Sequence, residues 1–166
     1  MEVINKRRSV RQFSDKEITD EVFEKLLRAA MQAPTAKNQQ AWKFLVIRNR
    51  DSLNKLSEVS NLFVNCKAAI LIMVDQTKAT ALEMTPADTG ACTQNILLEC
   101  VELGLGACWI GTAGRENRIM KFKEVFNIPD HLYPSTAVVI GYPKDENANY
   151  FVDRYDPSKV YYEEIK

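Results

Sequence analysis

The pattern of apolar and polar positions divides the chain into alternating helix and strand signals. Val22, Phe23, Leu26, Leu27, Ala30 and Met31 recur at helical spacing and predict a helix over Thr19–Gln32, capped by Thr19 or Asp20 and ended before Pro34. Phe44 to Ile47 is continuously apolar, so Trp42–Arg48 reads as a strand and Asp51–Val59 as a short helix. The run Ala68–Val74 is rich in strand formers and reads as a strand buried on both faces. Ala87–Leu103 is the longest helix signal; Ile96, Leu97, Leu98, Cys100, Val101 and Leu103 make it apolar around most of its girth, and Gly104 stops it. A strand over Ala107–Ile110, a helix over Arg115–Phe126 and a strand over Thr136–Ile140 follow, with a short helix over Glu2–Lys6 at the start. This order predicts a layered α/β arrangement with helices covering a central sheet. The tail from Tyr150 to Lys166 carries aromatics and charges but no core of its own, so it must lie on something, and a partner chain is one candidate.

Composition narrows the function. The 166 residues suit a single domain with one core, and an apolar fraction of 46% excludes a disordered chain. Lys+Arg and Asp+Glu both stand at 22, a balance that argues against coating nucleic acid or an anionic membrane. An anion site must therefore be local. Met1–Phe13 is charged and the longest apolar run is far shorter than a bilayer, so no leader or membrane span is expected. Cys66, Cys92, Cys100 and Cys108 sit in apolar patterns without Cys-x-x-Cys spacing, and His131 is the only histidine. Zinc and iron–sulfur ligation are poorly supported; buried thiols in a reducing cytoplasm are the plainer reading.

Three segments could carry chemistry. Arg7, Arg8, Ser9 and Arg11 place three guanidiniums and a hydroxyl within five residues, a composition suited to phosphate and equally to a solvated basic terminus. Concentrating arginine here in a chain of zero net charge favours the anion site. The polar loop from Ala33 to Trp42 offers amides and carboxamides able to meet the edge of a planar heterocycle, although in isolation ordinary turn chemistry, with Trp42 as a core aromatic, is the better reading. Gly104, Gly106 and Gly111 fail as a dinucleotide loop, since the spacing is wrong and the glycines follow a helix. Gly111 at a strand end leaves room for a flat ligand to reach backbone amides. Arg154, between Asp153 and Asp156, reads by composition alone as a surface ion pair.

In order, these pieces resemble the FMN-dependent nitroreductase family over Ile4 to about Glu163. The matches are Arg7, Arg8, Ser9, Arg11 and Phe13; then Pro34, Thr35, Asn38, Gln40 and Trp42; then Gln94–Asn95, the Gly-Leu-Gly turn and the strand ending at Gly111; and finally Arg154 with Tyr161-Tyr162-Glu163. The resemblance implies a three-layer α-β-α sandwich with a central mixed sheet, its C-terminal strand exchanged between the subunits of a homodimer. It further implies that Arg7, Ser9 and Arg154, assisted by Arg8, hold the FMN phosphate. Arg11 would lie near the pyrimidine end of the ring, and Ile110 and Gly111 would present amides to N5 and O4. Pro34, Thr35, Ala36, Asn38 and Gln40 would line the ring from the other subunit. The chemistry implied is ping-pong: NADH or NADPH passes hydride to N5, and a small-molecule electron acceptor such as a nitroaromatic or quinone then takes its place. Other reactions on this fold (dehydrogenation, dehalogenation, flavin fragmentation) and a non-catalytic flavin-binding dimer are the alternatives. Ala41 departs from the family's proline, and the stretch between Val74 and Ala87 is short where longer relatives carry a helical excursion.

Overall fold

The computed structural model describes residues 2–165. Its elements run α1 (Glu2–Lys6), α2 (Asp20–Met31), β1 (Trp42–Ile47), α3 (Arg50–Lys55), α4 (Leu62–Asn65), β2 (Ala68–Asp75), α5 (Thr85–Glu102), β3 (Gly106–Gly111), α6 (Glu116–Phe126) and β4 (Leu132–Gly141). The four strands lie in the order β1-β2-β4-β3. Every pairing between them is antiparallel, which corrects the mixed sheet expected from the sequence. The one parallel contact is an isolated bridge between Ser9 and Ala107. Hydrophobic alternation sets which face a residue takes and says nothing of strand direction, so the periodicity could not have decided this.

β2 is buried along its whole length, as the run of apolar residues requires. Ile70 and Ile72 enter a cluster with Phe23 and Leu26 of α2 and Ile96 and Cys100 of α5; Ala69, Leu71 and Met73 enter a second with Leu53, Phe63 and Phe122. The sheet is thus covered on both faces, giving three α-β-α layers. Alternation along one strand feeds both cores, and truncating a fully buried leucine such as Leu71 in such a setting costs about 2–5 kcal/mol.

Element ends differ from the sequence expectation where tertiary bonds take over. α5 begins two residues early, with Pro86 in its first turn. Its amino-terminal half is buried through polar residues (Thr85, Asp88, Thr89 and Thr93), whereas Glu102 at its far end is exposed. β4 bulges at Ser135, where the register slips between Ile72↔Thr136 and Met73↔Pro134. The bulge brings the Ser135 hydroxyl within 2.8 Å of the Thr89 hydroxyl and locks α5 to the sheet. Gly104 ends α5 with φ of +71°.

Among the described residues the terminal segment forms no strand, its one helical turn beyond Gly141 is Pro157–Lys159, and Phe151, Tyr155, Tyr161, Tyr162 and Ile165 are all exposed.

Candidate functional site

The basic segment is laid along the free edge of β3 by backbone bonds. Val10 N donates to Ala107 O (2.9 Å) and Ser14 N to Tyr142 O (2.8 Å). Two glycines make this close approach feasible: a Cβ on Gly106 would come within 2.6 Å of Val10, and one on Gly141 within 2.7 Å of Phe13. Asn149 clamps the start of the segment, accepting from Arg8 N at 3.2 Å and donating to Leu105 O at 3.1 Å.

Guanidiniums then converge without carboxylates. Arg7 is pulled below the usual arginine range, first by burial and then by the charges of Arg8 and Arg154, so the sequence-distant Arg154 does reach this cluster. Arg11 Nη1 donates to Ser9 O at 3.1 Å. Burial raises the Cys108 thiol, while the charge of Arg11, a bond from Ser9 and the charge of Arg7 oppose the rise. Arg8 is used differently. It donates to Arg7 O (2.6 Å) and Asn5 O (3.0 Å) and stacks on Tyr150, 5.2 Å from the ring centroid. Its Nε is buried and unpartnered, the one side-chain nitrogen or oxygen so placed among the described residues. None of Arg7, Arg11 and Arg154 forms an ion pair among the described residues, while Lys67, Lys121 and Lys123 all do. Like charges gathered without counter-charge, beside an orphaned buried donor, fit an anion with several acceptor oxygens.

At the far end of β3 the same edge carries no neighbouring strand, although the Gly111 carbonyl already accepts from Arg118 Nη1 (2.6 Å). Alternation in an antiparallel strand turns the backbone groups of Trp109 and Gly111 to the side where Ala107 O meets Val10. Gly111 is exposed, with nothing within 4 Å of a Cβ built on it. Ile110 backs the edge: its side chain is buried, and its carbonyl accepts long bonds (3.5 Å) from Thr112 and Thr136. Trp109, which the sequence reading passed over, is 41% exposed and packs towards Gly90 of α5.

The loop before β1 lies at the opposite edge of the sheet. Lys37, Asn38 and Gln40 all take positive φ, an uncommon backbone for residues with side chains. Asp88 holds the loop in that shape. Its buried carboxylate accepts from Ala36 N (2.9 Å) and Gln39 Nε2 (2.6 Å). Gln39 Oε1 in turn accepts from Thr80 N (2.9 Å) and Ala81 N (3.0 Å), tying the short connection after β2 against the loop. Gln40 bonds Asn38 (2.7 Å) and, through its backbone, the Thr35 hydroxyl (3.2 Å). Pro34 and Ala36 sit beside these residues on the same exposed rim, and Trp42 begins β1 buried.

One chain therefore seats Arg7, Arg8, Ser9 and Arg11 at β3, with Arg154 near enough for its charge to act on Arg7, and keeps Thr35, Asn38 and Gln40 on the β1 side. Among the described residues no hydrogen bond links the two groups. Asp88 and Gln39 were missed by the sequence reading; the available signal was a carboxylate set among residues of an otherwise buried helix. No group of three or more His, Cys, Asp or Glu among the described residues could hold a metal ion.

Layered antiparallel sheet, glycine-seated arginine segment and strained amide loop together make a scaffold with an anion-binding edge, and comparison with known proteins names its family. The model of the Nitroreductase family matches residues 4–65 and 61–142, and the chain belongs to that family. An Archaeoglobus fulgidus protein whose name pairs NADH dehydrogenase with NAD(P)H nitroreductase is 39% identical, across 98% of this chain and 97% of its own. The crystal structure of a Clostridium acetobutylicum protein given an NADH oxidase name superposes with a TM-score of 0.93 at 41% identity, covering 98% of this chain and 99% of that one. An FMN-dependent nitroreductase from Clostridium difficile superposes at 0.89 with 29% identity and 98% coverage of both.

Proposed function

We propose that the chain is an FMN-dependent oxidoreductase, reduced by NADH or NADPH, that passes electrons to nitroaromatic or quinone-type acceptors. It acts as one FMN-binding domain over residues 1–166 and as a homodimer in which each flavin is shared by two chains. The observation that carries this reading is the convergence of Arg7, Arg154 and Ser9 on the free edge of β3 with no carboxylate to meet them.

Bound FMN supplies a ring that accepts hydride at N5 and releases it to an acceptor. Arg7 and Arg154 hold its phosphate through charge-assisted bonds, with Ser9 adding a hydroxyl and Arg8 bracing the segment through Asn5 and Tyr150. Arg11, arched over the Ser9 carbonyl, places positive charge where the reduced ring's pyrimidine end gathers negative charge. Gly111, backed by Ile110, offers its backbone amide to the N5–O4 side. Pro34, Thr35, Ala36, Asn38 and Gln40, on the far edge of the same sheet, serve the flavin seated on a second copy. The exposed aromatics of residues 150–165 supply the apolar surface such a dimer buries. A reducing cytoplasmic location suits the four buried thiols, of which burial pushes Cys66 to about 11 and Cys92 to about 12. No described helix is long and apolar enough to cross a membrane.

The test is anaerobic rapid mixing of the purified yellow protein with NADH or NADPH. Bleaching of the flavin band, with FMN as the heat-released cofactor, is expected. FAD, or failure to take up flavin, would contradict the reading. An FMN-loaded protein that neither dinucleotide bleaches would favour another reaction on this fold or a non-catalytic binder.

A further inference from the structure

A second pair of arginines stands without a counter-ion at the other end of β3. Arg118 Nη1 donates to Gly111 O at 2.6 Å, which pins the guanidinium against the strand end. Arg115 caps α6 one turn before Arg118, whose backbone N donates to Arg115 O at 3.0 Å; burial, and then the charge of Arg115, hold Arg118 below the usual arginine range. Neither forms an ion pair among the described residues, although the lysines of the same helix are all satisfied: Lys121 meets Glu58 and Glu124, and Lys123 meets Asp130. Arg115 makes no side-chain hydrogen bond and is exposed.

This pair and the Arg7 cluster address different groups. Ala107, beside Ser9, and Gly111, beside Arg118, are four residues apart on one strand, about 13 Å at the rise of an extended chain. FMN carries a single phosphate, and Arg7, Ser9 and Arg154 account for it. The second cation pair lies next to Gly111, where the reactive side of the ring is placed, so the anion it awaits comes with the molecule that reacts there. We infer that Arg115 and Arg118 form an oxyanion-recognition pair for the ligand that exchanges hydride with the flavin. That oxyanion is either a phosphate of the reduced dinucleotide or a carboxylate on the acceptor. The inference rests on the oxidoreductase reading above.

The experiment uses oxidised, FMN-loaded protein and calorimetric binding of four probes: NADP+, NAD+, 4-nitrobenzoate and neutral nitrobenzene. Arg115→Gln, which removes a charge without removing a hydrogen bond, is expected to weaken the recognised anion about tenfold. Arg118→Lys, which keeps the charge but loses the fork, should weaken it less. A loss confined to NADP+ identifies the extra phosphate, an equal loss for NADP+ and NAD+ the shared pyrophosphate, and a loss for nitrobenzoate relative to nitrobenzene the acceptor carboxylate. Each supports the pair's role. Unchanged affinities for all four probes in Arg115→Gln, with FMN fully bound, would overturn this inference alone. A wild-type protein that takes up no FMN would instead bring down the oxidoreductase reading, and this inference with it.

Discussion

At the approach to β1, Asp88 and Gln39 between them bind Ala36, Thr80 and Ala81, and Gln40 closes on Asn38 and Thr35. At the free edge of β3, by contrast, Arg7, Arg11 and Arg154 meet no carboxylate, and Arg8 keeps a buried nitrogen without an acceptor. The first region is braced within the chain; Asp88 and Gln39 tie its loop down, and its strained backbone is held by a buried carboxylate. The second gathers positive charge, with one buried donor unpartnered, in a way that an anion would relieve. A braced loop and an unneutralised arginine segment, on opposite edges of one sheet, fit the proposed cofactor shared between two copies. Neither edge alone encloses a ring.

The comparison breaks most severely if the tail is removed. Deleting residues from Tyr150 onward takes away Arg154 together with the exposed aromatics of the terminal segment. Both the dimer and flavin binding should be lost, read by gel filtration with detection at the flavin band; a flavin-loaded dimer of the shortened chain would refute the arrangement. Next in size are the phosphate contacts. Arg7→Ala and Arg154→Ala should each weaken FMN about ten- to a hundredfold, since a charge-assisted contact is worth roughly 1.5–3 kcal/mol. Equilibrium titration of the apoprotein measures this, and wild-type affinity in both variants would remove the assignment.

The β1 side should respond in stability. Asp88→Ala strands Ala36 N and leaves Gln39 Nε2 only its longer bond to Ala81 O, and should lower unfolding stability by about 1–3 kcal/mol, the cost of one unsatisfied buried group. Urea unfolding gives the number; a loss below a few tenths would mean that the loop holds its shape unaided. Arg11→Ala is a finer probe, because its guanidinium bonds only the Ser9 carbonyl. It should shift the flavin's reduction potential downwards while largely sparing affinity, and an unchanged potential would place Arg11 away from the ring.

How much of this was legible in the sequence depends on the range of the interaction. α2, α5 and β2 announce themselves by periodicity, because one face or both of each must be buried whatever the topology. α4 spans only four residues, too short for any period to register, and strand direction left no trace. The cluster at Arg7 was readable as local composition. Arg154 was not, since its place beside Arg7 depends on how the chain returns after β4; only the family resemblance suggested it. Asp88 and Gln39 are nearly fifty residues apart in a pairing that no local pattern encodes. Arg115 and Arg118 became conspicuous only once the lysines around them were seen to be paired.

The central claim is that the flavin belongs to two chains at once, and sedimentation at micromolar concentration with detection at the flavin band tests it most directly. All flavin absorbance should move with a species of twice the 18.9 kDa chain mass, and dilution that splits the dimer should release the flavin. A species at the single-chain mass carrying stoichiometric FMN would contradict the account.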